Sequence, residues 1–310
     1  MDVITPPKKC TFNCVYCQLG ETKSYVSTPE NLQDSVPCPE RILSDLGNVM
    51  TRIDLTTVDI VTFSGNGEPT LNLNLGVIAK RIKARIGNLP MAILTNSSLL
   101  HRKDVRRSLF TFDMVVAKLD AGDNEALEQI NRPADKQLDL GTIIDSIRQL
   151  RKDTRGTLAL EVMLMESVDG RITNVKGRHL ENLADAISSI QPDIVQLEVP
   201  YRPSSESYVK QPTKEEVSLV SHRISQVLGE GRLWVYGIHD RRGGKVRWLE
   251  HKSFEEDVME LLRRRPCSAI DVSTSFGIDV ASAKGVLEGL EKTGKVGTVK
   301  VKEEKFYFKS

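Results

Sequence analysis

Short β-branched and aliphatic runs alternate along the first part of the chain with segments in which apolar side chains recur every three or four positions. The short runs have the length and composition of buried strands. They predict strands at 57–63, 91–95, 113–118, 157–165, 193–199 and 233–238, and a very short first strand at 2–5.

The three-to-four-residue spacing predicts helices between these strands. They are expected at 39–53, 71–86, 104–110, 138–151 and 180–190, and a Thr-Lys-Glu-Glu capping box at 213–216 starts a further helix. Strands that alternate with helices favour an α/β fold with a parallel sheet. Six such units are fewer than the eight of a closed barrel.

The pattern changes after residue 239, where a polar, glycine-containing turn at 240–245 looks like a domain boundary. The sequence therefore predicts two domains, 1–245 and 246–310. In the second, helices are expected at 254–262, 267–275 and 281–293, followed by a β-hairpin of 296–301 and 305–308. Three helices followed by a hairpin resemble a winged helix-turn-helix, so a small winged-helix-like α+β domain is expected at the C-terminus.

Lysines alternate with apolar residues in the predicted hairpin and leave two interpretations open. They could contact a phosphate backbone, or they could keep an exposed hairpin edge soluble. The third predicted helix mixes acidic with basic residues, which does not favour nucleic acid. The hairpin lysines are Lys300, Lys302, Lys305 and Lys309. Nucleic-acid binding, protein docking and substrate presentation are therefore all candidate roles of this domain.

Charge is nearly balanced, with 43 basic and 42 acidic residues, so no overall field attracts the protein to nucleic acid or to a membrane. No apolar run approaches the ~18 residues of a spanning helix, and no signal peptide is recognisable. Five cysteines, three of them clustered, argue against an oxidising compartment. We therefore expect a cytoplasmic protein with no membrane partner. The stretch before the first cysteine is very short, which suggests an internal start codon or a trimmed N-terminus.

Three thiols lie within eight residues, at Cys10, Cys14 and Cys17, in the spacing C-x3-C-x2-C. Three thiolates from one loop can hold three irons of a four-iron four-sulfur (4Fe-4S) cluster and leave the fourth iron open. A structural zinc needs a fourth protein ligand, and none lies near this loop, since Cys38 and Cys267 stand alone. The spacing therefore favours an iron-sulfur cluster over the alternative of a zinc or disulfide loop.

The cysteine motif, with Tyr16 directly before its last member, resembles the C-x3-C-x-aromatic-C signature of the radical S-adenosylmethionine (radical SAM) superfamily. This resemblance implies that the open iron chelates SAM, cleaves it reductively and releases a 5'-deoxyadenosyl radical. It implies that Tyr16 packs near the adenine, and that an electron donor such as ferredoxin or flavodoxin is a partner. The implied fold is a partial (β/α)6 TIM-type barrel with its chemistry at the carboxyl ends of the strands.

The predicted strand at 57–63 is followed by Ser-Gly-Asn-Gly-Glu-Pro at 64–69. Its glycines would let the backbone pass close to a ligand, and its glutamate offers a charged acceptor. The segment resembles the GGEP motif of the superfamily. That resemblance implies that Gly67 and Glu68 hold the methionyl amine of SAM, with Gly65 beside them.

Three further strand ends resemble segments of the same superfamily or carry polar residues. The Thr-Asn-Ser at 95–97 implies that Asn96 supports the cofactor, and the Lys-Leu-Asp-Ala at 118–121 implies that Asp120 lies near the SAM ribose or carboxylate. Lys118 stands where a serine is usual; it could pair with the SAM carboxylate, contact substrate or reach into solvent. Glu161 and Gln196, on later strands, are candidates for ribose or substrate contacts.

The predicted function is a radical SAM enzyme that abstracts hydrogen from an unidentified substrate, which could be a small molecule, a protein or RNA. Residues 5–8, 17–20 and 64–70 look most like the uncharacterised iron-sulfur oxidoreductases akin to the wyosine-forming tRNA enzyme. No additional cysteines precede the motif, so a single cluster is expected. Two alternatives stay open: a tRNA-modifying radical SAM enzyme that grips RNA through the winged helix, and an iron-sulfur sensor that binds DNA through it.

Overall fold

A computed structural model describes residues 1–229, 231–237, 239, 246–249 and 253–309, with the side chains of residues 33 and 34 left out. Its strands are β1 (Lys9–Cys10), β2 (Ser24–Tyr25), β3 (Val61–Phe63), β4 (Met91–Thr95), β5 (Met114–Lys118), β6 (Thr157–Met163), β7 (Glu166–Ser167), β8 (Ile194–Glu198), β9 (Val209–Lys210), β10 (Leu233–Val235), β11 (Val296–Val301) and β12 (Glu304–Lys309). Its helices are α1 (Pro39–Met50), α2 (Leu75–Ile86), α3 (Lys103–Ser108), α4 (Asn124–Ala126), α5 (Leu140–Asp153), α6 (Gly177–Ile190), α7 (Lys214–Leu228), α8 (Phe254–Arg264), α9 (Ala269–Phe276) and α10 (Val280–Lys292).

Six parallel strands form one sheet in the order β10, β8, β6, β5, β4 and β3. Parallel neighbours require a crossover, and α2, α5, α6 and α7 lie between successive strands of this sheet. The protein is therefore an α/β fold with a partial TIM-type barrel, as predicted. Strands β3 and β10 are the two edges of the sheet, so the barrel is open between them.

The N-terminal strands are shorter than the sequence predicts. The stretch 2–5 contributes a single parallel bridge, between Asp2 and Ser64. Strand β3 begins at Val61 because Asp54 caps a preceding 3-10 turn, where its side chain accepts a hydrogen bond from Thr56 N. The predicted strand at 233–238 ends at Val235, and residue 238 lies outside the described residues.

The helices pack their predicted apolar faces against the sheet. In α5, Ile143, Ile147 and Leu150 are buried, as the spacing indicates. The capping box of α7 is present, with Glu216 N donating to Thr213 Oγ1 and Thr213 N donating to Glu216 Oε2. The start of α7 is thus decided by local sequence.

The C-terminal part has an apolar cluster of its own. The three helices α8, α9 and α10 are followed by the antiparallel hairpin β11–β12, in the predicted order. Cys267 and Tyr307 exchange backbone hydrogen bonds of 2.9 Å, which attach the start of α9 to the hairpin. This cluster and the barrel cluster share no residue among those described. The assignment as a winged helix, and the division at 245, stay predictions.

Ion pairs, side-chain hydrogen bonds and a backbone ladder join the C-terminal part to the barrel, among them the pair of Arg264 Nε with Asp2 Oδ2 at 3.0 Å. Arg52 Nη2 lies 2.5 Å from Asp257 Oδ2, and Arg202 Nη2 lies 2.6 Å from Asp271 Oδ1, with all four side chains at most 16% exposed. Residues 247–249 run beside residues 52–54, where the amide of residue 54 donates to the carbonyl of residue 247 and that of residue 249 to the carbonyl of residue 52, each at 2.8 Å. The predicted boundary turn, 240–245, lies outside the described residues.

Within the described ranges, no helix has the length and apolar character that a membrane span requires.

We predict that a chain ending at residue 245 folds on its own. Its apolar cluster is separate from that of the C-terminal part, and the described contacts that truncation removes are polar: the ion pairs of Arg52, Arg202 and Asp2, the hydrogen bond of Gln211 with Lys302, and the ladder at 52–54. Thermal unfolding followed by circular dichroism should show one cooperative transition. A truncated chain without such a transition would mean that both parts form one folding unit, and the proposed division at 245 would be wrong.

Candidate active site

A cavity of about 240 Å³ opens at the carboxyl ends of the barrel strands. We call it the main cavity. Its lining comes from the cysteine loop, from the ends of β4, β5 and β6, and from the segment after β8. The lining residues are Cys10, Tyr16, Cys17, Gln18, Leu19, Gly67, Glu68, Leu94, Thr95, Asn96, Val116, Lys118, Glu161, Met163, Val199, Pro200, Tyr201 and Arg202. Most of the predicted site residues therefore meet here, whereas Cys14, Gly65, Asp120 and Gln196 are outside this lining.

The cysteine loop is fixed to the barrel by backbone hydrogen bonds. Asn13 N donates to Asn131 O at 3.0 Å, and Val15 N donates to Ile130 O at 2.9 Å. The side chain of Asn13 accepts from Thr22 N at 2.8 Å and so closes the loop on itself. These contacts hold the three thiols in place without any bond between them, since all five cysteines are free thiols.

Each of the three motif thiols accepts a hydrogen bond from a side chain outside the motif. The pairs are Asn96 Nδ2 to Cys10 Sγ at 3.5 Å, Asn131 Nδ2 to Cys14 Sγ at 3.5 Å, and Lys8 Nζ to Cys17 Sγ at 3.2 Å. Hydrogen bonds to sulfur are among the features that tune iron-sulfur clusters. The donor set thus fits a loop whose thiols become thiolates.

Without metal, burial favours the protonated form of Cys10 and Cys14. It raises the pKa of Cys14 to about 11, and it raises the pKa of Cys10 further still. Binding of a cluster must therefore release protons. Across the described ranges, no three His, Cys, Asp or Glu side chains converge on one metal ion. A cubane cluster gives each thiolate a separate iron, whereas a zinc ion needs all its ligands around one metal.

Glycines 65 and 67 are required by the chain itself. A Cβ on Gly67 would lie 1.5 Å from the carbonyl oxygen of Lys9, and the residue has a φ of 137°. A Cβ on Gly65 would lie 2.9 Å from Ile4 Cβ. The sequence predicted close approach of a ligand at this motif. In the structure the close neighbours are the two residues from the N-terminal stretch.

Glu68 is buried, at 1% exposure, and its carboxylate binds neighbouring segments of the chain. Its donors are Thr70 N, Thr70 Oγ1 and Thr95 Oγ1 to Oε1, at 3.1, 2.7 and 2.6 Å, and Asn96 N to Oε2 at 2.6 Å. Burial raises the pKa of Glu68, and these hydrogen bonds oppose that shift. Oε2 accepts only one of the four bonds, so it keeps a free lone pair for a ligand in the main cavity.

Lys118 is held by two carboxylates and does not extend into solvent. Its Nζ lies 2.5 Å from Glu161 Oε1, 3.7 Å from Asp120 Oδ1 and 5.1 Å from the centre of the Tyr16 ring. Burial alone would lower the pKa of Lys118, but Asp120 and Glu161 raise it well above its ordinary value. The lysine is therefore charged, and Glu161, a candidate for ribose or substrate contacts, lines the main cavity.

Asp120 joins the cysteine loop to the sheet from behind the cavity lining. Its Oδ2 accepts from the Tyr16 hydroxyl and, at 2.7 Å, from Asn131 Nδ2, while its Oδ1 accepts from Met163 N at 2.8 Å. The sequence analysis assigned no role to Asn131. The signal that could have found it is the Asn-Arg-Pro segment at 131–133, shortly after the predicted strand at 113–118. Lys8, which donates to Cys17 Sγ, was likewise assigned no role.

The sequence model of the radical SAM superfamily matches residues 4–167, more than half of the chain, including the cysteine loop and strands β3 to β6. The chain belongs to the radical SAM superfamily. The resemblance drawn from the cysteine motif is thus confirmed for the superfamily, and the protein is an enzyme of the radical SAM type. Kinship with the wyosine-forming enzyme stays a prediction.

Curated relatives carry names that specify little chemistry. A UPF0026 protein of Methanocaldococcus jannaschii is 27% identical over 94% of this radical SAM chain and 88% of its own. A UPF0026 protein of Helicobacter pylori is 30% identical over 87% of this chain and 80% of its own. A Brachyspira hyodysenteriae protein named GTPase Obg is 29% identical over 96% of this chain, which spans only 41% of that protein's length.

Among solved structures, coproporphyrinogen III oxidase from Escherichia coli, described as a radical SAM enzyme, covers 100% of this chain and 86% of its own. The TM-score is 0.45 and the identity 13%. At that score the likeness carries no argument about this radical SAM chain.

We predict that Gly67→Ala disrupts the attachment of the cysteine loop. The new Cβ meets backbone rather than a flexible side chain, so we expect a loss of about 4 kcal/mol or more in the free energy of unfolding. The matched control is Gly87→Ala, where φ is 63° and no atom lies within 4 Å, so only about 1–2 kcal/mol should be lost. Urea unfolding measures both, and equal losses would contradict the proposed clash.

Proposed function

We propose that the chain holds one 4Fe-4S cluster through Cys10, Cys14 and Cys17 and binds SAM in the main cavity beside it. The observation that carries this proposal is the set of N–H donors on the three thiols. Such donors favour the deprotonated sulfur that iron requires. Two of these thiols also line the main cavity, so a ligand there lies next to the cluster site.

A cluster held by these cysteines would supply the electron for cleavage of SAM into methionine and a 5'-deoxyadenosyl radical, which would abstract a hydrogen atom from the substrate. The residues of the chain hold, orient and shield these groups. The ring of Tyr16 is fixed by the bond of its hydroxyl to Asp120, so it presents a rigid face to an adenine. Asn96 spans the cavity wall between Thr11 and Cys10, to which its Nδ2 donates at 2.8 and 3.5 Å.

The charges around the inner part of the main cavity complement SAM. Glu68 and Glu161 line it and Asp120 lies behind them, against the single lysine Lys118. Three carboxylates and one ammonium group leave this part negative. SAM carries positive charge on its sulfonium and on its ammonium group. The Oε2 atom of Glu68, with its free lone pair, is the acceptor that we assign to the ammonium group.

The substrate, whether small molecule, protein or RNA, and an electron donor such as ferredoxin or flavodoxin belong to this proposal as partners. The hairpin lysines offer little support for an RNA substrate, because three of them already contact side chains of the protein. Lys305 Nζ lies 2.7 Å from Glu291 Oε2, Lys302 Nζ donates to Gln211 Oε1 at 2.6 Å, and Lys300 Nζ lies 3.5 Å from Glu303 Oε2. The tRNA-modifying enzyme and the DNA-binding sensor stay alternative predictions.

We predict that Cys10→Ala, Cys14→Ala and Cys17→Ala each abolish cluster binding and, with it, the formation of 5'-deoxyadenosine from SAM and dithionite. Iron and sulfide analysis of the anaerobically reconstituted protein, followed by chromatography of the nucleosides, measures both. Cys38→Ala and Cys267→Ala are the matched controls and should keep their iron. Loss of iron in Cys38→Ala would reveal a fourth protein ligand, and then no iron would be open to SAM.

We predict that Glu68→Gln weakens SAM binding roughly ten- to a hundred-fold, because it removes a charge-assisted hydrogen bond worth roughly 1.5–3 kcal/mol. Equilibrium dialysis on the reconstituted protein gives the affinity. The same substitution at the exposed Glu40 is the control and should change nothing. An unaltered SAM affinity in Glu68→Gln would mean that Glu68 does not bind SAM and only connects chain segments through Thr70, Thr95 and Asn96.

A further inference from the structure

The main cavity meets a second cavity where the C-terminal domain approaches the cysteine loop. This second cavity, of about 250 Å³, we call the seam cavity. It shares Gln18 and Leu19 with the main cavity. Its other lining residues are Gly20, Asn66, Leu262, Arg263, Arg264, Arg265, Pro266 and Phe308. Three consecutive arginines thus line the seam cavity. Arg263 is paired with Glu260 and Arg264 with Asp2, whereas no ion pair is seen for Arg265 among the described residues. Arg202 lines the main cavity beside the seam cavity.

Arg202 has a guanidinium group that the protein satisfies only in part. Its Nη2 donates to Asp271 Oδ1 at 2.6 Å, and the side chain is 10% exposed. Its Nε is buried and has no hydrogen-bond partner. The group lies 4.3 Å from the centre of the Tyr201 ring, which fixes its plane. An arginine with unused donors in a cavity is suited to an anion that offers two oxygens.

Two further donors beside Arg202 lack partners in the described part of the chain. The hydroxyl of Tyr201 and the guanidinium of Arg265 make no hydrogen bond or ion pair there, although the Tyr201 ring is held by stacking on Tyr236 at 5.1 Å. Burial raises the pKa of Tyr201 to about 12. The positive charges of Arg202 and Arg265 act in the opposite direction and lower that pKa. Tyr201 and Arg202 line the main cavity, and Arg265 lines the seam cavity that adjoins it at Gln18 and Leu19, so the three residues surround the junction of the two cavities.

We propose that the substrate carries an anionic group, a phosphate or a carboxylate, that binds to Arg202, Tyr201 and Arg265 between the barrel and the C-terminal domain. The other cation of the main cavity, Lys118, is already paired with Glu161, so an incoming anion finds its free donors at this end. The inference rests on the proposed function in one respect, since it assigns the inner part of the cavity to SAM. The C-terminal domain then completes the substrate site, because it supplies Arg265 and orients Arg202 through Asp271.

Isothermal titration calorimetry of the full chain as isolated, with inorganic phosphate in one arm and acetate in the other, tests this proposal. Tyr201→Phe and Arg265→Gln each remove a donor that has no partner in the described chain, so folding should be unaffected. Each should weaken binding of the preferred anion about ten-fold. Arg155→Gln, an exposed arginine before β6 at the opposite end of the barrel, is the matched control and should bind as the unmodified chain does.

Binding of phosphate alone would indicate a phosphorylated substrate, and binding of acetate alone a carboxylic acid. No binding of either anion, or equal weakening in Arg155→Gln, overturns the proposal. The SAM affinity of the same variants is the second readout and should not change. Weakened SAM binding with unchanged anion binding would assign these donors to the carboxylate of SAM instead. Anion binding is measured without SAM cleavage. A chain that binds no anion could therefore still cleave SAM, and a chain that does not cleave SAM could still bind the anion, so the two proposals fail separately.

Discussion

Two backbone hydrogen bonds attach the cysteine loop to the sheet, and the candidate site depends on them. Lys9 N donates to Asn66 O at 2.8 Å, and Glu68 N donates to Lys9 O at 3.0 Å. They bind the chain immediately before Cys10 to the segment that follows β3. Only glycine fits at position 67, between these two bonds. Once the loop is fixed there, its thiols lie within reach of three donors: Lys8 beside the loop, Asn96 after β4, and Asn131.

Two residues for which the superfamily resemblance implies contacts with SAM also connect separate segments of the barrel. Glu68 connects the end of β3 to the end of β4 through Thr95 and Asn96, and Asp120 connects β5 to β6 and to Tyr16. A carboxylate that is held by several donors has a fixed position before any ligand arrives. Pre-organisation and folding therefore use the same atoms here, and a substitution at either residue affects both.

Local signals in the sequence predict the elements well, and long-range contacts account for what they miss. Strand β4 has the predicted bounds, and the capping box at Thr213 forms as expected, because both are decided by adjacent residues. The first strand shrinks to one bridge because its pairing depends on Ser64, far along the chain. Likewise the partner of the Tyr16 hydroxyl lies 104 residues away, and no local pattern points to it.

The ladder between residues 52–54 and 247–249 has a mechanical consequence. Residues 52–54 precede the edge strand β3, so the ladder ties the segment before this strand to the start of the C-terminal part. A displacement of the C-terminal part away from that segment must break the ladder. The same displacement would separate Asp257 from Arg52 and Asp271 from Arg202.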